Sequence, residues 1–173
     1  MTHRSPKSRL LAPVLAAVLA PMTAFIAVAV APIDAQAAVT KANCQVTTVL
    51  MSKDGDGTIP PELEFMKPSL QNDEFAAYKG FHLIERKAVK LALDTKTDSS
   101  FTSGHRLGLT LMGGDEKRLK LHADLSSRDG SKSLVSLEYS IENDGLFMIG
   151  AGSYSNDAHS GKLFFAIQCG GAS

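Results

Sequence analysis

Tryptophan is absent from this chain, tyrosine occurs three times, and aromatic residues make up only 6% of it. Charge of one sign is absent too: 18 Lys and Arg balance 18 Asp and Glu, so there is no basic footprint for nucleic acid. Cysteine is limited to Cys44 and Cys169, which lie far apart with no metal-ligand spacing beside them. No His82, His105, His122 or His159 pairs with another at the close spacing of a zinc motif, so scattered surface histidines are expected, His82 and His122 on polar strand faces. The G-x-S-x-G elbow of a serine hydrolase is missing as well.

The one long apolar run stands at the start. His3, Arg4, Lys7 and Arg9 precede LLAPVLAAVLAPMTAFIAVAVAPI, and AQA at Ala35 to Ala37 offers the small residues of a cleavage site. This pattern predicts a signal peptide over residues 1–37, cleaved before Ala38. The competing reading is a retained membrane anchor, against which stand Pro13 and Pro21 inside the run. No twin arginine is present, which points to the general secretory route, and no cysteine marks a lipoprotein site.

Residues 38–173 then form one domain of 136 residues, with 15 Lys and Arg against 17 Asp and Glu, net charge −2. In an oxidising compartment an even pair of cysteines predicts a Cys44–Cys169 disulfide, two free thiols being the alternative.

Period-two alternation dominates this part. CQVTTVLM aligns Cys44, Val46, Thr48 and Leu50. FHLIERKAVKLAL aligns Val89, Leu91 and Leu93, as one long strand or a bent pair. HRLGLTLMG and KRLKLHADL align Leu107, Leu109, Leu111 and then Leu119, Leu121, Ala123, Leu125 across the hairpin signal GGDE. LVSLEYSI, LFMIGAG and KLFFAIQC complete the series, and TKTDSSFTSG reads as a loop. Only PPELEFMKPSLQNDEFAAYKGF competes with helical spacing: Leu63, Phe65 or Met66, and Leu70 form a stripe, Glu62 and Glu64 suit a helix start, and Pro68 limits or kinks it. Phe75, Tyr78 and Phe81 are expected to pack this segment onto the sheet, a surface groove being the alternative. The fold class is mainly β: an antiparallel β-sandwich of seven or eight strands with one short helix after the first. Both thiols point inward, and a bridge would join neighbouring or facing strands at the two chain ends.

SKDGDGTIPPELEF invites an EF-hand reading. Asp54 and Asp56 fall at ligand positions around Gly57, but Ser52, Pro60 and Leu63 stand where further ligands belong. A solvated turn is the expectation, so no cofactor, with an irregular calcium site of Asp54, Asp56 and Glu62 as the alternative. Ser153, Asp157 and His159 in GAGSYSNDAHSG suggest a triad, yet residues so close in one loop rarely adopt that geometry.

Four stretches carry a resemblance: VLMS (Val49 to Ser52) before a D-G turn, PEL (Pro61 to Leu63), F-x-x-Y-x-x-F-x-L-I (Phe75 to Ile84), and GAGSY with G-x-L-x-x-A-I (Gly150 to Ile167). In these the chain resembles a family of uncharacterised exported bacterial β-rich proteins. The resemblance implies a secreted β domain and brings no catalytic residues. The expected role is non-catalytic binding or assembly in the periplasm or cell exterior, with an envelope protein or a glycan as partner and strand addition at a sheet edge as the mode. The rival is a small hydrolase or metal-dependent enzyme with its site in the loops around His105 and His159.

Overall fold

The computed structural model describes residues 38–172; the expected signal peptide and its cleavage site lie outside these. Eight antiparallel strands form two four-stranded sheets. They are β1 (Lys41–Ser52), β2 (Gly80–Ala92), β3 (Lys96–Ser100), β4 (Arg106–Gly114), β5 (Arg118–Ser126), β6 (Ser133–Glu142), β7 (Leu146–Ser155) and β8 (Ser160–Ala172). The first sheet has the order β2-β1-β8-β7 and the second β3-β4-β5-β6. Within each sheet strands consecutive in the chain are paired, and β8 returns to β1. This is the cyclic order of an up-and-down barrel, pressed into two layers and unzipped along two seams, β2/β3 and β6/β7.

Alternation places the inner faces where the sequence predicts them. Leu107, Leu109, Leu111, Leu119, Leu121, Ala123, Leu125, Leu163, Phe165 and Ile167 are all buried between the sheets. The GGDE hairpin bends at a bulge, with Gly113 and Gly114 at φ 139° and 147°, values that residues bearing a Cβ rarely adopt. Cys44 and Cys169 are directly opposed across the β1–β8 ladder and joined by a disulfide, their Cα atoms 4.0 Å apart. Of the two geometries the sequence allows, bridging within one sheet is the one adopted.

β1 departs from simple alternation: from Val46 to Met51 both of its faces are buried. The reason is the segment between β1 and β2, which folds over the outer face of the first sheet. It is a 3-10 helix over Pro61–Met66, one α-turn, α1 (Lys67–Leu70), and a 3-10 turn over Asp73–Phe75. Pro61 and Pro68 each occupy the first turn of a piece, where no amide hydrogen is needed, so one short α-helix follows β1 as expected, with 3-10 pieces on either side in place of a longer kinked run. Leu63, Met66 and Leu70 are buried, and Phe65 is left outside beneath the Arg86 guanidinium, 5.2 Å from its ring centre. Phe75, Tyr78 and Phe81 pack on the sheet as expected, although from three different local structures rather than one helix. Phe75 and Tyr78 meet Phe164 edge-on at 5.5 and 5.8 Å.

One expectation fails: TKTDSSFTSG is not wholly loop, because Lys96–Ser100 forms β3, paired with β4 from Lys96↔Thr110 to Ser100↔Arg106. β3 is a polar edge strand with no residue fully buried, so its sequence shows no hydrophobic period. Only the neighbouring strand makes it one.

Candidate functional site at the sheet edges and the loop end

The positions singled out by sequence do not converge. Asp54 and Asp56 are exposed in the turn after β1, and Glu62 is exposed at the start of the helical cover. Asp56 Oδ1 accepts the Thr58 amide at 2.8 Å, and the Asp54 carbonyl accepts the Ser52 hydroxyl at 2.6 Å. The oxygens most available to a cation thus close the turn. The Glu62 carbonyl accepts from Arg86, which ties the helical cover to β2. Among the described residues, no three His, Cys, Asp or Glu are grouped as a metal site.

Ser153, Asp157 and His159 are likewise separate. Ser153 Oγ accepts from Lys162 Nζ at 3.0 Å, Asp157 is exposed in the β7–β8 turn, and no hydrogen bond joins the three. The end of the sandwich that carries this turn also carries the 101–105 and 127–132 loops. There His105 corrects the expectation of surface histidines: it is 3% exposed, its Nδ1 lies 3.1 Å from Ser103 Oγ, and its ring meets Phe165 edge-on. Burial and then the charge of Arg128 lower its pKa. It is a hydrogen-bonded core histidine. His82 also departs from the polar-face expectation. It pairs with Leu50 on the inner face of the first sheet, is half-buried, and stacks on His159 at 3.6 Å. Burial, followed by His159, lowers the His82 pKa.

A polar constellation that sequence reasoning missed covers the outer face of the second sheet. Asp98, Gly108, Asp124 and Ser136 form one row across its four strands, and Lys96, Thr110, His122 and Glu138 form the next. Gly108 leaves room for Lys96 to cross β4, so that Lys96 Nζ lies 2.9 Å from Asp124 Oδ2. Ser136 donates to Asp124 Oδ1 at 2.6 Å, and His122 Nε2 approaches the same oxygen at 3.1 Å. The Ser136 hydroxyl and then Lys96 hold Asp124 at about 2, well below the usual carboxylate range. Ser, His and Asp are present, but the carboxylate holds both the hydroxyl proton and the imidazole nitrogen that nucleophile activation needs. The cluster's charges are spent on one another, and in this arrangement Asp124 does not leave Ser136 and His122 free as a nucleophile–base pair. Period-two alternation in KRLKLHADL marks His122 and Asp124 as outward-facing; the register that adds Lys96 and Ser136 is not readable from sequence.

The four edge strands differ in how they are protected. β2 turns Glu85 and Lys87 toward the seam with β3: Glu85 accepts the Thr102 amide at 2.7 Å and hydroxyl at 3.0 Å, and Lys87 reaches the Ser100 carbonyl at 2.5 Å. Burial works to raise the Glu85 pKa, but the two Thr102 hydrogen bonds and Lys87 outweigh it and leave it lowered. β3 carries Lys96 and Asp98, and β6 carries Glu138 and Glu142. β7, LFMIGAGSYS, carries no charge and no proline. It has a bulge around Ala151, with Gly152 at φ 93°, and two contacts from across the seam: Tyr139 stacks on Phe147, and the Arg128 guanidinium lies over the Tyr154 ring at 5.2 Å.

These features define a disulfide-closed, eight-stranded antiparallel β-sandwich with a short helical cover and one uncharged edge. No family model, curated protein or solved structure matches the chain.

Proposed function

We propose that the protein is an exported, non-catalytic binding or assembly module of the bacterial cell envelope that engages its partner by strand addition along β7. The observation that carries this reading is the contrast among edges: three are charged, and β7 offers ten uncharged residues whose ladder is formed on one side only, with β8. An added strand would gain the backbone hydrogen bonds the free side leaves unmade, and the half-buried Phe147, Met148 and Tyr154 beside it would supply side-chain selectivity. The disulfide supports an oxidising compartment, in keeping with the signal-like start of the chain.

The test places a photo-crosslinking residue at Ser153 in cells exporting the protein, alone and combined with Gly150→Lys. Gly150 is suited to this because a Cβ there would meet the Phe164 ring at 3.4 Å, an ordinary contact, while the charge would stand on the edge. A defined envelope-protein adduct that Gly150→Lys removes is the expected result. No adduct, or one indifferent to this charge, sinks the reading.

A further inference from the structure

The four histidines of the described domain fall into two kinds. His105 and His122 have protein partners for a ring nitrogen, Ser103 and Asp124 respectively. His82 and His159 have none among the described residues, yet their rings lie face to face, 3.6 Å between centres and 11° from parallel. They are 77 positions apart in sequence, so the fold alone brings them together.

Both backbones are held. His82 is in the β1–β2 ladder opposite Leu50. His159 closes the β7–β8 turn: its amide donates to Asn156 Oδ1 at 2.7 Å, the Ala158 amide donates to the same oxygen at 3.1 Å, and the Asn156 amide donates to the His159 carbonyl at 3.0 Å. Two imidazoles with free nitrogens are therefore presented side by side from fixed frames, His82 half-buried and His159 exposed. Stacking alone explains an apolar contact but leaves four ring nitrogens without protein partners.

We propose that His82 and His159 form a two-imidazole site for a divalent transition metal of the zinc class, with its remaining positions open to water or to a ligand donor. Imidazole is the donor that suits zinc, copper and nickel rather than calcium or magnesium. With zinc–nitrogen bonds near 2.0–2.1 Å, two nitrogens on a tetrahedral ion stand about 3.3 Å apart. The 3.6 Å between ring centres brings the two imidazoles close, but their lone pairs lie in the ring planes and run parallel in the stack, so the rings must turn out of it to meet at one ion, a movement the exposed position of His159 allows. A site with two protein donors is open rather than closed, which makes it a docking point and not a structural staple.

The test is titration of the purified protein with zinc chloride, following the imidazole nitrogens of all four histidines by long-range proton–nitrogen correlation spectra. The expected result is one saturable event that shifts His82 and His159 together and leaves His105 and His122 in place. His82→Ala and His159→Ala should each weaken binding at least tenfold with an unchanged thermal melt, and His122→Ala should leave it intact. Because His159 is exposed, His159→Gln serves as a second variant that keeps the turn polar. Saturation at one ring only, movement of His122 instead, or wild-type affinity in either alanine variant would overturn the assignment.

Discussion

At the scale of single residues, the buried polar groups decide the sharpest predictions. His105 is more easily protonated unfolded, near its ordinary 6.5, than folded, because burial and Arg128 lower its folded pKa. The unfolded chain then binds more protons below that value. The His105 contribution is therefore intact at pH 7 and is lost as pH falls through 6.5 toward the lowered folded value. Urea unfolding midpoints measured from pH 7.5 to 5 should fall, and His105→Gln should remove part of that slope. The Thr47 hydroxyl is buried with no hydrogen-bond partner among the described residues. Thr47→Val should accordingly raise stability by about 1 kcal/mol, since it removes an unmet polar group while nearly keeping its volume. Loss of stability in the same urea assay would show that the hydroxyl has a partner in solution.

Among the elements, the helical cover is the one whose stability comes almost entirely from packing. Its three pieces are six, four and three residues long, too short to hold on their own. They stay because Leu63, Met66, Leu70 and Phe75 are buried against Val49, Met51 and Ala166. Phe75→Ala should cost about 3–5 kcal/mol and raise amide exchange selectively over residues 61–75. Uniform exchange across the sandwich would mean that the cover is not a separate unit of opening. The stripe Leu63, Met66, Leu70 is legible from spacing. The breaks are not, because Pro61 and Pro68 are equally compatible with one kinked helix and with fresh starts. Similarly, Lys96–Ser100 has nothing to mark it as a strand except the hydrogen bonds β4 makes available.

The whole molecule is closed by its ends. β1 and β8 lie side by side at the centre of the first sheet, and the Cys44–Cys169 bridge spans 125 residues of sequence. In the chain-entropy account such a loop is worth about 4–5 kcal/mol, acting mainly on the unfolded state. The Cys44→Ala, Cys169→Ala double variant should unfold at lower urea by about that amount while keeping its β-type circular dichroism. Equal stability with and without reductant would show the bridge to be dispensable. The same cyclic arrangement leaves two seams. Charged side chains bridge β2 to β3, whereas at β6/β7 Tyr139 stacks on Phe147 at 4.1 Å and no ladder forms. The edge proposed to take a partner is thus a consequence of where the barrel-like order fails to close.

By itself the sequence determined the alternation, the turns and the inward direction of both thiols, because period-two patterning and turn chemistry act between near neighbours. The β-sandwich class follows from those local signals. Only the tertiary structure decided register: that Lys96 crosses Gly108 to Asp124, that His105 is buried, that His82 meets His159, and that β7 is left as the uncharged edge. Each of these depends on which residue stands opposite which across strands distant in the chain, and a pattern that repeats every two residues fits many such pairings equally well.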